Sequence, residues 1–218
     1  MVVKHIITNS PGDGSTGFRQ AVQDYLVPDY FASAENAGTY GMNFKDADGN
    51  ILFNGDWSGN AFRFTWYRSN SATGFIDLQT YLVAVYTCTN GVFFVYSDTY
   101  NETSPTSANN IIAFTKDKNG VTGAAVFVSP SDKKYYTFDW SDVDASTYYN
   151  VEWNSGQFTQ FVPIATHASE GNPNYFHNAY YFPVSQIYTS GFGKFMDATN
   201  NEIYMTNGYI AIKDGGAT

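Results

Sequence analysis

Asp46, Asp48 and Asn50 place side-chain oxygens at every second position, which is how a calcium-binding loop opens. The loop then fails, because its sixth position is Ile51 where a glycine must make the turn, and its twelfth is Trp57 where a bidentate glutamate must close the site. A polar turn explains the spacing better than a metal site does. Asp139, Asp142 and Asp144 surround Trp140 and form the densest acidic cluster, with Glu152 further on. Carboxylates beside an aromatic ring serve glycoside hydrolysis when two of them lie about 5–10 Å apart in a cleft, and they also bind cations. A solvated turn between strands accounts for the same residues with no chemistry at all.

The nucleophiles and imidazoles are equally sparse. His5, His167 and His177 show no ligand spacing with one another or with Cys88, which argues against zinc. His167 and His177 share one aromatic-rich segment and would form a pH-sensitive pair if the fold joined them. Cys88 ends the apolar run Leu82-Val-Ala-Val-Tyr-Thr-Cys88 and reads as a small buried hydrophobe. The sequence contains no phosphate-cradling glycine loop, nucleophile elbow or Ser-His-Asp arrangement. No catalytic residue, metal or cofactor is expected, and the chain reads as non-enzymatic.

Composition bounds the partners. Of 218 residues, 18 are Tyr, 18 Phe and 4 Trp, while charged residues make up only 14%. So little charge leaves hydroxyls, amides and aromatic rims to cover the exterior, a surface suited to contact. The net charge of -9 repels phosphate backbones and anionic lipid, so neither nucleic acid nor membrane is an expected partner. The start, Met1-Val-Val-Lys-His-Ile-Ile-Thr8, is too short in apolar residues for a signal peptide, so the chain is expected to be made in the cytoplasm and to stay soluble.

The elements that would position these groups are mostly strands. Asp48-Gly49, Asn54-Gly55, Asn90-Gly91, Asn119-Gly120 and Asn207-Gly208 are turn signals between or beside runs of β-formers. Phe62-Arg-Phe-Thr-Trp66 alternates and predicts one buried face with Arg63 and Thr65 outward. Val92–Tyr96 and Ala124–Val128 are continuous apolar runs, as in strands covered on both faces. Phe18, Val22, Tyr25 and Leu26 form one helical stripe, which predicts an amphipathic helix over residues 16–26, capped by Ser15 or Thr16 and stopped by Pro28. A weaker pattern suggests a second short helix over residues 75–81. The reading is a mainly β, antiparallel sandwich or barrel-like domain over residues 1–218, with 1–40 as a strand–helix arm and 194–213 as a C-terminal hairpin.

Two stretches resist strand assignment, Ser97–Asn110 and His167–Tyr181. The second is expected to be a contact loop, because Tyr175, Phe176, His177, Tyr180 and Tyr181 crowd it with anchors of the kind that dominate interfaces. Phe18 and Tyr25 of the predicted helix join them as interface candidates. Phe44-Lys-Asp-Ala-Asp-Gly-Asn-Ile-Leu-Phe53 and Phe195-Met-Asp-Ala-Thr-Asn-Asn-Glu-Ile-Tyr204 echo each other, and two similar hairpins explain the echo.

Thr8-Asn-Ser-Pro through Tyr25-Leu-Val-Pro28, the Asn-Gly hairpins and the ending Glu202-Ile-Tyr-Met-Thr-Asn-Gly-Tyr-Ile-Ala-Ile-Lys213 together resemble tailed-bacteriophage virion structural proteins. The resemblance is of style across most of the chain, with no signature motif and no functional residue to carry over. It implies a β-rich, acidic subunit without cofactor, serving as capsid decoration, capsid fibre, connector or tail component. Its partners would be other virion proteins and copies of itself, and its location the virion. A carbohydrate-binding or receptor-binding β-domain is the alternative, since exposed aromatic rings stack on sugars while Asn, Asp and Gln bind the hydroxyls.

Overall fold

The computed structural model describes residues 3–9, 14–58, 61–97, 110–117, 120, 122–129, 134–139, 148–152, 162–169, 172–181, 193–197, 202–206 and 210–216. The fold is mainly β, with two antiparallel sheets and one short helix in a sandwich-like arrangement. The smaller sheet is a meander of five strands: β2 (Ser33–Ala37), β3 (Gly41–Lys45), β4 (Ile51–Ser58), β5 (Ala61–Arg68) and β6 (Ser71–Leu78). Against it lies the larger sheet, whose spine runs β1 (Val3–Asn9), β7 (Tyr81–Cys88), β8 (Gly91–Ser97) and β9 (Asn110–Asp117).

At β9 the large sheet branches. One arm continues through β10 (Thr122–Ser129) and β11 (Lys134–Asp139) to β12 (Tyr148–Glu152). The other leaves the end of β9 through β14 (Asn172–Tyr181), where Phe176 and His177 pair with Asp117 and Lys116. This arm carries β13 (Val162–Ser169) on one side of β14, and on the other β17 (Ile210–Gly216), β16 (Glu202–Thr206) and β15 (Gly193–Asp197).

The strand periods hold. In β5, Phe62, Phe64 and Trp66 are buried while Arg63, Thr65 and Tyr67 turn outward. Every residue of β8 is buried, as its unbroken apolar run requires for a strand hydrogen-bonded on both edges. The two sheets meet ring on ring. Phe62 stacks on Tyr96 at 4.5 Å, Phe64 meets Phe138 at 4.9 Å, and Phe31 stands edge-on to Phe44, Phe53 and Phe114. Fourteen of the aromatic residues, ten of them Phe, are buried among the described residues, so the aromatic composition serves the core first. Each such ring removed from water contributes about 1.5–3 kcal/mol.

Helix α1 (Gly14–Tyr25) starts two residues before its sequence boundary, which puts Ser15 and Thr16 inside the first turn, not at the cap. Its stripe of Phe18, Ala21, Val22 and Leu26 is buried, and Phe18 meets Phe62 and Trp57 edge-on at 5.1 and 5.2 Å. Arg19 reaches out from the helix, donating through one nitrogen to the carbonyls of Gly38 and Thr39 in the β2–β3 turn. Helical bonding ends in the turns over 26–30, where Val27–Pro28 is a cis peptide and Tyr30 and Phe31 both donate to the Leu26 carbonyl. The N-terminal segment is thus built into the fold: β1 pairs with β7 and α1 fills the end of the core.

Two expectations change, and one turn is new. Residues 75–81 are not helical: β6 runs to Leu78, and Ile76 and Leu78 alternate into the core. Asn54-Gly55 is no turn but the middle of β4, where a side chain on Gly55 would strike the Phe62 ring at 2.6 Å. The turn that sequence missed is Ser69-Asn70, where both residues have positive φ and join β5 to β6. Asn tolerates that conformation, and the Asn70 side-chain oxygen Oδ1 accepts a bond from the Ile51 amide.

Candidate functional site

The outer face of the five-stranded sheet gathers the most recognition chemistry among the described side chains. Cross-strand register lines up Glu35, Asn43, Asn54, Thr65 and Phe75, one residue from each strand. Asn54 donates to the Asn43 side-chain oxygen at 2.9 Å, Asn43 donates to Glu35 at 3.4 Å, and Lys45 closes that end with a 2.8 Å ion pair to Glu35. These bonds hold the Glu35 carboxyl below its usual range, the Lys45 hydrogen bond contributing most.

At the far end stands Phe75, 54% exposed and the one large apolar side chain that is exposed among the described residues. The Arg63 guanidinium lies 3.9 Å from its ring centroid and is itself gripped by Asp77 through two bonds of 2.7 and 2.9 Å. Arg63 and Asp77 are register partners, so sheet geometry preorganises the pair. Asp56 is the next residue of this second row, and burial pushes its carboxyl above the usual range.

The chain matches no family model, no curated protein and no solved structure.

A concavity of about 330 Å³ lies where the ends of the two sheets meet. Tyr30, Phe31, Leu52, Lys45, Asp46 and Lys116 line it. Its polar groups are mostly committed: Asp46 accepts from the amides of Asp48 and Asn50 and from the Asn50 side chain, Lys45 is paired with Glu35, and the Lys116 ammonium lies 5.7 Å over the Tyr30 ring. The calcium-like spacing at 46–50 is thus a turn in which Asp46 holds its own backbone. No three His, Cys, Asp or Glu residues converge as a metal set among the described residues.

The aromatic segment is not a loop. His167 lies in β13, and Tyr175, Phe176, His177, Tyr180 and Tyr181 are positions of β14, an interior strand with partners on both sides. Tyr180 is half-buried, opposite Pro163 on one side and Ala211 on the other. His177 is in register with Lys116, not with His167. Asn172, Pro173 and Asn174, which read as turn residues in the sequence, already belong to β14, with Asn172 and Pro173 opposite Ser169 and Ala168. Phe18, at 1% exposure, is core and cannot anchor another chain. Tyr25 is half-buried against His5, ring centroids 4.4 Å apart, and His5 also contacts the Thr87 hydroxyl at 3.2 Å.

Asp142 and Asp144 lie outside the described residues; Asp139 ends β11 and Glu152 ends β12. Cys88 is half-buried, and burial pushes its thiol up to about 11. The β2–β6 outer face is not visible as a local pattern because its members come from five strands. Only the Arg63 and Thr65 alternation pointed to it.

Proposed function

We propose that the chain is a non-enzymatic structural subunit of a tailed-phage particle, joined to copies of itself and to other virion proteins. The observation that supports this reading is the number of strand edges left open. Among the described residues, β1, β2, β6, β12, β13 and β15 each have one hydrogen-bonded neighbour, although the fold contains seventeen strands. An unpaired edge presents a row of backbone donors and acceptors that another chain can extend. A subunit repeated in a symmetric assembly needs many such modest contacts, and an acidic, charge-poor chain makes them without burying many ions.

No helix among the described residues is long and apolar enough to cross a membrane. Native mass measurement on the purified protein, alone and mixed with phage heads and tails, tests the proposal. A closed multimer, or stoichiometric incorporation into one of these particles, is expected. A monomer at tens of micromolar that joins neither particle overturns it.

The carbohydrate-binding alternative draws on a different observation, the amide, hydroxyl and aromatic row from Asn43 to Phe75. The two readings draw on different features, strand edges and a sheet face, and are compatible in one protein.

A further inference from the structure

We infer that the outer face of the five-stranded sheet binds a neutral polysaccharide, with Phe75 as the stacking platform and Asn43, Asn54, Thr65, Arg63 and Asp77 as hydroxyl-binding groups. This deepens the carbohydrate-binding reading, on which it rests, and does not depend on the assembly reading.

The first argument is from apolar area. A stable protein–protein contact buries roughly 800 Å² on each side around a desolvated cluster of large side chains. On this face Phe75 is the one exposed ring, Tyr67 facing outward from β5 but half-buried, and the neighbours Thr65, Arg63 and Asp77 are polar. One ring among hydrogen-bonding groups is too little for a protein hot spot and is the right size for one sugar, whose C–H face packs on an aromatic plane.

The second argument is from charge. The chain carries -9, yet this face holds three carboxylates, Glu35, Asp56 and Asp77, against Lys45 and Arg63. Four of the five are locked in pairs, Lys45 with Glu35 and Arg63 with Asp77. A nearly neutral face with satisfied ions neither recruits an anionic polymer nor repels a neutral one.

Geometry supplies the third. The Arg63 guanidinium lies over one face of the Phe75 ring, 3.9 Å from its centroid, and two bonds to Asp77 hold it there. The pair thus fixes the ring for a sugar stacked on its other face, with donor and acceptor groups beside it for the hydroxyls. Arg63 carries five N–H groups and gives two of them to Asp77. From Glu35 to Phe75 the row crosses four inter-strand steps, a length of about 19 Å at ~4.8 Å per step. A row of this length fits several consecutive units of a chain, and the pairs that hold its side chains in place reduce the ordering cost of binding.

Affinity electrophoresis of the intact protein through gels containing arabinoxylan, hydroxyethyl cellulose, galactomannan, dextran or pullulan tests the inference. Retardation by at least one polysaccharide is expected. Phe75→Ala should weaken it about tenfold or more, Phe75→Tyr should restore it, and both variants should keep the parent melting temperature, because the ring is largely outside the core. Absence of retardation in every gel overturns the inference, as does Phe75→Ala binding like the parent. If Phe75→Ala instead abolishes association with phage particles, the face is a protein interface and the inference also falls. Native mass measured on the same samples separates the two proposals. A monomer that is retarded fails only the assembly reading, and a multimer that runs freely fails only this one.

Discussion

Phe44 and Phe53 stack with ring centroids 4.0 Å apart and planes 9° from parallel, directly opposite each other across the β3–β4 hairpin. Phe195 and Tyr204 hold the same register across β15–β16. Both pairs are nine residues apart and enclose an Asp-Ala pair and a polar turn, so the internal echo in the sequence encodes one construction used twice. Among the described residues the two pairings differ beside the aromatic pair. Register shifts after Phe44, making Leu52 an extra residue in β4, and this buried side chain lines the 330 Å³ cleft.

Phe53 sits at the centre of that construction, stacking on Phe44 and Phe64 and meeting Phe31 edge-on. Phe53→Ala removes a fully buried ring from between the sheets and should cost about 3–5 kcal/mol. Phe75→Ala, at the exposed end of the neighbouring register row, should cost far less. Denaturant melts of the two variants against the parent check the contrast, which fails if they are destabilised alike.

Legibility of the fold followed the range of the signal. The alternation in Phe62–Trp66, the continuous run in Val92–Tyr96 and the stripe from Phe18 to Leu26 are local patterns, and each became the expected element. Segments failed where the signal was ambiguous. Ser69-Asn70 turns the chain with no glycine, and Phe75–Leu78 has an apolar spacing compatible with either period over so few residues. The candidate site was hidden for another reason. Glu35 and Phe75 are forty positions apart and share a face only through four successive registers, which no local pattern encodes.

Gly74 shows the same dependence on register. It lies opposite Trp66, and an added Cβ would fall 2.3 Å from the indole Cζ2, so the ring occupies the space that a side chain would need. Gly74→Ala should therefore destabilise the protein by about 1–3 kcal/mol through overpacking, in spite of alanine's better strand-forming tendency. Tryptophan fluorescence should also shift as the indole is displaced. A neutral or stabilising Gly74→Ala would show that the ring has room to move.

Tyr96 is wholly buried, and its hydroxyl makes no hydrogen bond among the described residues. Burial pushes that hydroxyl well above its ordinary range, while the ring stacks on Phe62 at 4.5 Å. Tyr96→Phe keeps the stack and removes the orphaned polar atom, whose burial costs about 1–3 kcal/mol. The variant should be more stable than the parent, with an unchanged near-ultraviolet signature from the remaining rings. A loss of stability would mean that the hydroxyl has a partner, such as a bound water.

Cys88 supplies a pH-dependent prediction. Burial is the main cause that lifts its thiol from the ordinary 9.0 to about 11, and the charge of Asp214 adds to the effect against hydrogen bonds from the Asn90 and Gly91 amides. At pH 8 only about one molecule in a thousand carries the reactive thiolate. Disulfide reagents should label the native protein slowly and the unfolded protein at once. The same shift affects stability. The native state keeps its proton to higher pH than the unfolded chain, so the contribution is fully present below pH 9.0 and is lost as pH rises towards 11. Melting temperatures of the parent should thus fall more steeply than those of Cys88→Ala over that interval. Parallel curves, together with rapid labelling at pH 8, would place the thiol in contact with solvent and remove the burial argument.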